Sequence, residues 1–178
     1  MLDDSQAIGS RGKESVEFGT QLLAAAERYV GRGFVSHAEL VGCGSRSKTF
    51  PGCMEIGLGP DSFDCSGLII RALSDIIGRQ TTKWAANIRH PLHMASLGTR
   101  VDLRSTDGQH DYPLGLVLVY HHITQLGVVP SAHVGIYAGG QQLLHARSLG
   151  AGSVALGPIR ATGTSKRFSH AIDPFSLI

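Results

Sequence analysis

Helical periodicity gives way to strand periodicity near Pro113, and that change of texture limits the folds open to this chain. Upstream, apolar residues recur three and four positions apart. Downstream, four β-rich runs follow one another, at 114–122 (LGLVLVYHH), 132–138 (AHVGIYA), 142–148 (QLLHARS) and 152–159 (GSVALGPI). Helices first and strands last predict an α+β domain, N-terminal helices packed on a C-terminal antiparallel β-sheet, rather than alternating βαβ units. The 178 residues suffice for one unit that buries its own core without a metal or disulfide staple. The expected organisation is a flexible lead over 1–13 followed by a single domain over 14–178.

In the helical part, Val16, Leu22, Leu23, Ala26 and Val30 recur at helical spacing from Glu14 to Val30, and Gly31 and Gly33 then end the run. Residues 31–62 carry seven glycines and two prolines, which predicts a long irregular excursion with a glycine-rich insert at about 38–60. A second helix is expected from Cys65 to about Ile77, closed by Gly78. A weaker helical stretch covers 82–97, interrupted by Pro91.

Composition excludes several classes of function. Hydrophobic residues are 42% and charged residues 17% of the chain, too apolar for disorder. The net charge of +2 is spread thinly except at Lys166-Arg167, so no nucleic-acid stripe is expected. The longest apolar run, Leu114 to Tyr120, is far short of a membrane span. The acidic, polar start lacks the basic flank and apolar run of a signal peptide. The expected routes are therefore leaderless secretion, phage-borne release or a cytoplasmic location.

The stretch DSFDCSGLIIRAL (61–73) holds the first chemical candidate. Positions 65, 68, 69, 72, 73 and 76 form one apolar helical face, and on that face alone Cys65 reads as a small buried hydrophobe. Its place at the helix start supports a second reading. Asp64 is a favourable N-cap, so Cys65 falls on the first turn, where backbone N–H groups and the helix dipole favour a thiolate. Ser66 sits beside it, and Gly67 leaves the backbone open to a substrate carbonyl, whose oxyanion the neighbouring N–H groups could hold.

A cysteine nucleophile needs a base, and two of the nine histidines share a hairpin. His133 opens AHVGIYAGG and His145 closes QQLLHA, with Gly139-Gly140 between them. Directly paired residues share a face of the sheet. For His133 to lie opposite His145, paired positions must sum to 278, which sets Tyr137 against Gln141 and leaves the loop Ala138-Gly139-Gly140. A plain Gly-Gly turn would send the rings to opposite faces. An odd-length loop or an equivalent bulge is expected, with one imidazole as base and the other orienting it.

FDCSGLIIRAL, AHVGIYAGG and LLHA, in that order, resemble the three signature blocks of the NlpC family, papain-like cysteine peptidases of bacterial cell walls. The resemblance implies a papain-like fold with Cys65 as nucleophile, His133 as base and His145 as orienter. It also implies the reaction, hydrolysis of the γ-D-glutamyl-diaminopimelate bond in peptidoglycan stem peptides, with no cofactor and with action at the cell wall or periplasm. Two positions depart from the pattern. Family members usually carry a tyrosine in a PYxxGG-like stretch that helps the oxyanion site; the matching GRGFVSH has Phe34, and no tyrosine occurs between Tyr29 and Tyr112. Ser36 or His37 is the expected substitute, or backbone N–H groups act alone; losing one such donor costs on the order of 10²-fold in rate. The usual GD ahead of the central strand reads Gly115-Leu116.

Competing readings remain at this stage. The same triad could act on another amide or thioester, as an acyltransferase or as a toxin effector with a cognate immunity or inhibitor protein as partner, or the domain could bind wall peptides without cutting them. Cys43 and Cys53 could close a loop in an oxidising compartment, leaving Cys65 as the thiol, or all three could stay reduced. No metal is expected, because Cys43, Cys53, His37, His90 and His93 match no zinc ligand spacing. Arg71 and Arg147 lie near the cleft elements, where a substrate carboxylate or plain surface charge would account for either.

Overall fold

The computed structural model describes residues 4–35, 59–78, 99–101, 112–124, 127–147, 152–159 and 166–178. In chain order these form α1 (Asp4–Glu27), β1 (Gly33–Phe34), β2 (Ser62–Phe63), α2 (Cys65–Ile77), β3 (Thr99–Val101), β4 (Val117–Thr124), β5 (Gly127–Gly139), β6 (Gln142–Arg147), β7 (Ser153–Pro158) and β8 (Lys166–Asp173), closed by a 3₁₀ turn at Pro174–Leu177. The fold is α+β, as the segregated periodicities predict. The strands make one sheet in the order β2-β1-β7-β6-β5-β4-β8-β3.

The sheet is mixed rather than wholly antiparallel, because β1 and β2 pair in parallel while the other neighbours run antiparallel. Both lie at the ends of the stretch read as irregular. Each is two residues long, too short to show any periodicity, and backbone bonds from Gly33 N–H to Asp61 O (2.9 Å) and Val35 N–H to Phe63 O (3.0 Å) join them. The other expectations for the insert, for 82–97 and for any Cys43–Cys53 pairing fall outside the described residues.

α1 begins ten residues before the expected Glu14, running through most of the stretch read as a lead. Gly9 and Gly12 lie inside the helix, since extending a helix costs far less than starting one. Its inner face is Phe18, Leu22, Leu23, Ala25 and Ala26, all buried, whereas Val16 and Val30, also expected there, are about half exposed.

α2 buries a wider surface than a single stripe. Leu68, Ile69, Ile70, Ala72 and Leu73 are fully buried, because the helix lies between α1 and the β5–β6 strands. Each of its large aliphatic side chains contributes about 1.5–3 kcal/mol by leaving water. Gly78, in the left-handed region at φ 66°, ends the helix with its N–H on Ser74 O at 2.9 Å.

The sheet buries both faces. Val117, Val119, Val134, Ile136, Leu144, Ala146, Val154 and Ile172 join the helices in the main core, and Leu116, Leu118, Tyr137, Leu143, Ile159 and Ala171 form a second core on the opposite side. A polar clasp ties the helices where α1 ends. Tyr29 Oη donates to Asp75 Oδ2 at 2.6 Å, and Arg28 and Arg71 reach the same carboxylate at 3.0 and 3.3 Å. Burial, and next the bond to Asp75, raise the Tyr29 hydroxyl above its ordinary 10.0. Among the described residues, no helix is long and apolar enough to cross a membrane.

Candidate active site

Asp64 fixes the start of α2. Its backbone is extended (φ −90°, ψ 176°), and its buried carboxylate takes the Gly67 N–H at 2.5 Å and the Ser66 hydroxyl at 3.0 Å, both on Oδ1. Leu68 N–H bonds Asp64 O at 3.2 Å as the first turn closes. These bonds place Cys65 at the first helical position, half-buried against the main core and in no disulfide. Ser66 turns its hydroxyl back onto the cap, so it steadies the helix tip. The Asp64 charge opposes a thiolate next door while the helix dipole favours one. Strong activation of the sulfur therefore requires a proton acceptor elsewhere.

Two such acceptors meet on the hairpin. His133 Nε2 lies 2.7 Å from His145 Nδ1, with the rings edge to face at 72°. The register that brings them together differs from direct opposition. Ile136 pairs with Leu144 and Tyr137 with Leu143, a sum of 280 rather than 278, so His145 stands across from Gly135 and meets His133 diagonally. An even sum keeps both rings on one face. The bulge anticipated as the alternative to a longer loop is present, as a register shift between Tyr137 and Gly139. The turn runs through Gly139, Gly140 and Gln141, all at positive φ (82°, 54° and 62°), and Gln141 O is held by the Ile159 N–H at 2.9 Å.

Gly135 makes the diagonal contact possible. A Cβ there would lie 2.6 Å from two carbons of Leu143 and 3.0 Å from His145 Cβ. The missing side chain is the space into which His145 leans. Sequence reasoning passed over this residue; its signal is a lone glycine inside a strand pattern, which marks close approach of a neighbour.

Alternation along β5 and β6 sets both rings on the side of Tyr137 and Leu143, opposite the Val134, Ile136, Leu144 and Ala146 side on which α2 packs. Phe34, in place of the family tyrosine, is half-buried against the main core, and its ring offers no hydrogen bond. Arg71 is engaged with Tyr29 and Asp75 in the clasp. Arg147 follows His145 on the same face of β6. Ser36 and His37 lie outside the described residues, as do the histidines and cysteines weighed for zinc; among the described residues no group of histidine, cysteine and carboxylate side chains could hold a metal ion.

Comparison with known proteins places this geometry. The chain matches two solved structures over most of its length: NlpC2 of Trichomonas vaginalis, at 20% identity, TM-score 0.54 and 86% of this chain, and the P60 domain of an antigen of M. avium subspecies paratuberculosis, at 16% identity, TM-score 0.51 and 92% of this chain. It spans 46% of the first protein and 96% of the second. At these identities the likeness carries the fold alone. A comparison with curated proteins finds no significant match. The NlpC/P60 family model matches residues 55–173, more than half of the chain and a span that includes Cys65 and both histidines. The chain belongs to the NlpC/P60 family, whose members are in general cell-wall cysteine peptidases.

Proposed function

We propose that the protein is a cysteine endopeptidase of peptidoglycan stem peptides, acting on the γ-D-glutamyl-diaminopimelate type of bond through a thioester acyl-enzyme. The observation that carries this reading is the 2.7 Å contact between His133 Nε2 and His145 Nδ1. That contact engages Nε2 of His133 and orients the ring, and Nδ1 is the nitrogen this reading assigns to the thiol.

Cys65 Sγ gives its proton to His133 Nδ1 and attacks the scissile carbonyl carbon. The carbonyl electron pair moves to oxygen, held by the Cys65 N–H at the positive end of α2. Collapse breaks the C–N bond, and His133 returns its proton to the leaving amine. Water then gives a proton to His133, attacks the thioester and releases the carboxylate and the thiol. His145 keeps the base oriented throughout.

The reading requires the Cys65 sulfur to come within hydrogen-bond reach of His133 Nδ1. With Phe34 unable to donate, the further oxyanion donor is Ser36 or His37, or N–H groups act alone at a turnover on the order of 10²-fold slower than with the extra donor. The test is digestion of purified peptidoglycan with the wild type and Cys65→Ala, read by mass spectrometry. Wild-type fragments ending in D-glutamate, absent with the variant, are expected. Release of nothing from any wall type, or equal release by both proteins, overturns the reading.

A further inference from the structure

Two imidazoles sharing a 2.7 Å contact hold one proton between them readily and a second only against like-charge repulsion, with no acceptor left in the bond. Nothing in that contact says which ring carries the charge. The surroundings of His145 do. A Cβ built on Gly157 would lie 2.9 Å from His145 Nε2 and 3.3 Å from the Arg147 guanidinium nitrogen Nη1, so the two nitrogens converge over the β7 backbone, at most about 6 Å apart. The contact with His133 is made by the other nitrogen of the same ring, so the cation stands on the flank of His145 away from its partner.

The Arg147 side chain has its Nε buried without a hydrogen-bond partner, and no described carboxylate lies within ion-pair distance of it. The other described titratable side chains around β6 are few. His133 and Tyr137 share its face from β5, and β7 presents Ser153, Ala155 and Gly157. On the opposite face α2 brings Asp64, Cys65, Arg71 and Asp75, the last two engaged with Tyr29 and Arg28 of the α1 end.

We propose that Arg147 is a positioning residue that assigns the shared proton to His133, keeping His145 neutral as the acceptor. The inference rests, for its catalytic meaning, on His133 being the base. The imidazolium then forms on His133, whose Nδ1 is the nitrogen the proposed mechanism assigns to the thiolate, and in that charged state His145 Nδ1 receives the Nε2–H of His133. A proton on His145 would remove that acceptor and turn the base out of its working tautomer. A guanidinium is suited to this role because it stays charged at any working pH.

The full chain carrying Cys65→Ala, labelled with ¹⁵N and ¹³C in histidine, is titrated by NMR from pH 4 to 9 with Arg147, Arg147→Lys and Arg147→Met. The first proton should appear on His133 with arginine and with lysine. With methionine, the protonated share of His145 should rise at least several-fold, its midpoint moving up by about one unit or more. A first proton on His145 in the arginine protein overturns the inference, as does an unchanged distribution in folded Arg147→Met. Should the methionine variant not fold, the ring assignment with arginine in place still decides. No substrate is involved, so failure to cut peptidoglycan would sink the proposed function and leave this result standing.

Discussion

Replacing Gly135 with alanine adds one methyl group at the point where β5, Leu143 and His145 converge. The new carbon would sit 2.6 Å from Leu143 Cγ and Cδ2 and 3.0 Å from His145 Cβ, distances at which something must move. Leu143 is 1% exposed and wedged into the second core beside Tyr137, so it has little room to yield. Overpacking of this kind costs about 1–3 kcal/mol. In a chain of this size each kcal/mol lowers Tm by about 2–4 °C. His145 is the more mobile obstacle, and its retreat would open the 2.7 Å contact; a displacement of about 1 Å in such a constellation can cost about 10²-fold in rate. Calorimetry and the rate of Cys65 alkylation read the two effects together. Gly12→Ala supplies the control, since a Cβ on that helical residue meets nothing within 4 Å and should stabilise by about 0.5–1 kcal/mol. A Gly135→Ala protein with unchanged Tm and unchanged thiol reactivity would refute the claim that this glycine makes room for the histidine pair.

Asp64→Ala should cost about 1–2 kcal/mol by chemical denaturation, because it removes the cap of α2 and the partner of a buried hydroxyl, while Asp64→Asn should retain most of that stability. Ser74→Ala should raise stability by about 1 kcal/mol in the same assay, since the Ser74 hydroxyl is buried without a hydrogen-bond partner. Tyr29 is held neutral in the folded state above its ordinary 10.0, so its share of stability is complete below pH 10 and is lost as pH rises through the folded value. Tyr29→Phe should accordingly flatten the fall of Tm above pH 10, and a fall of equal steepness in both proteins would show that the clasp contributes nothing to it.

The parts of this fold legible in sequence are those where burial is one-sided or capped. α2 announced itself through Asp64, its apolar face and Gly78, and β6 and β7 through their turns. β8 was missed because it lies between β4 and β3, so adjacent residues Ala171 and Ile172 are both buried, on opposite faces, and no alternation marks the strand. β3, like β1 and β2, is too short for a pattern. At the site, the two histidines and their common face followed from parity of spacing. The diagonal register did not, since it depends on a bulge between Tyr137 and Gly139 and on the space left by Gly135. Arg147 stood two residues beyond His145 in plain view, but its approach to the ring is set by Gly157 on a different strand, which no local pattern encodes.

The central claim, that the Cys65 thiol gives its proton to the histidine pair, is tested most directly by the pH dependence of Cys65 alkylation with iodoacetamide, read at that residue by peptide mass spectrometry. The account predicts thiolate reactivity well below pH 8 in the wild type and a midpoint near the ordinary value of about 8.5 in His133→Ala. A wild-type midpoint at or above that ordinary value, or one that His133→Ala leaves in place, would contradict it.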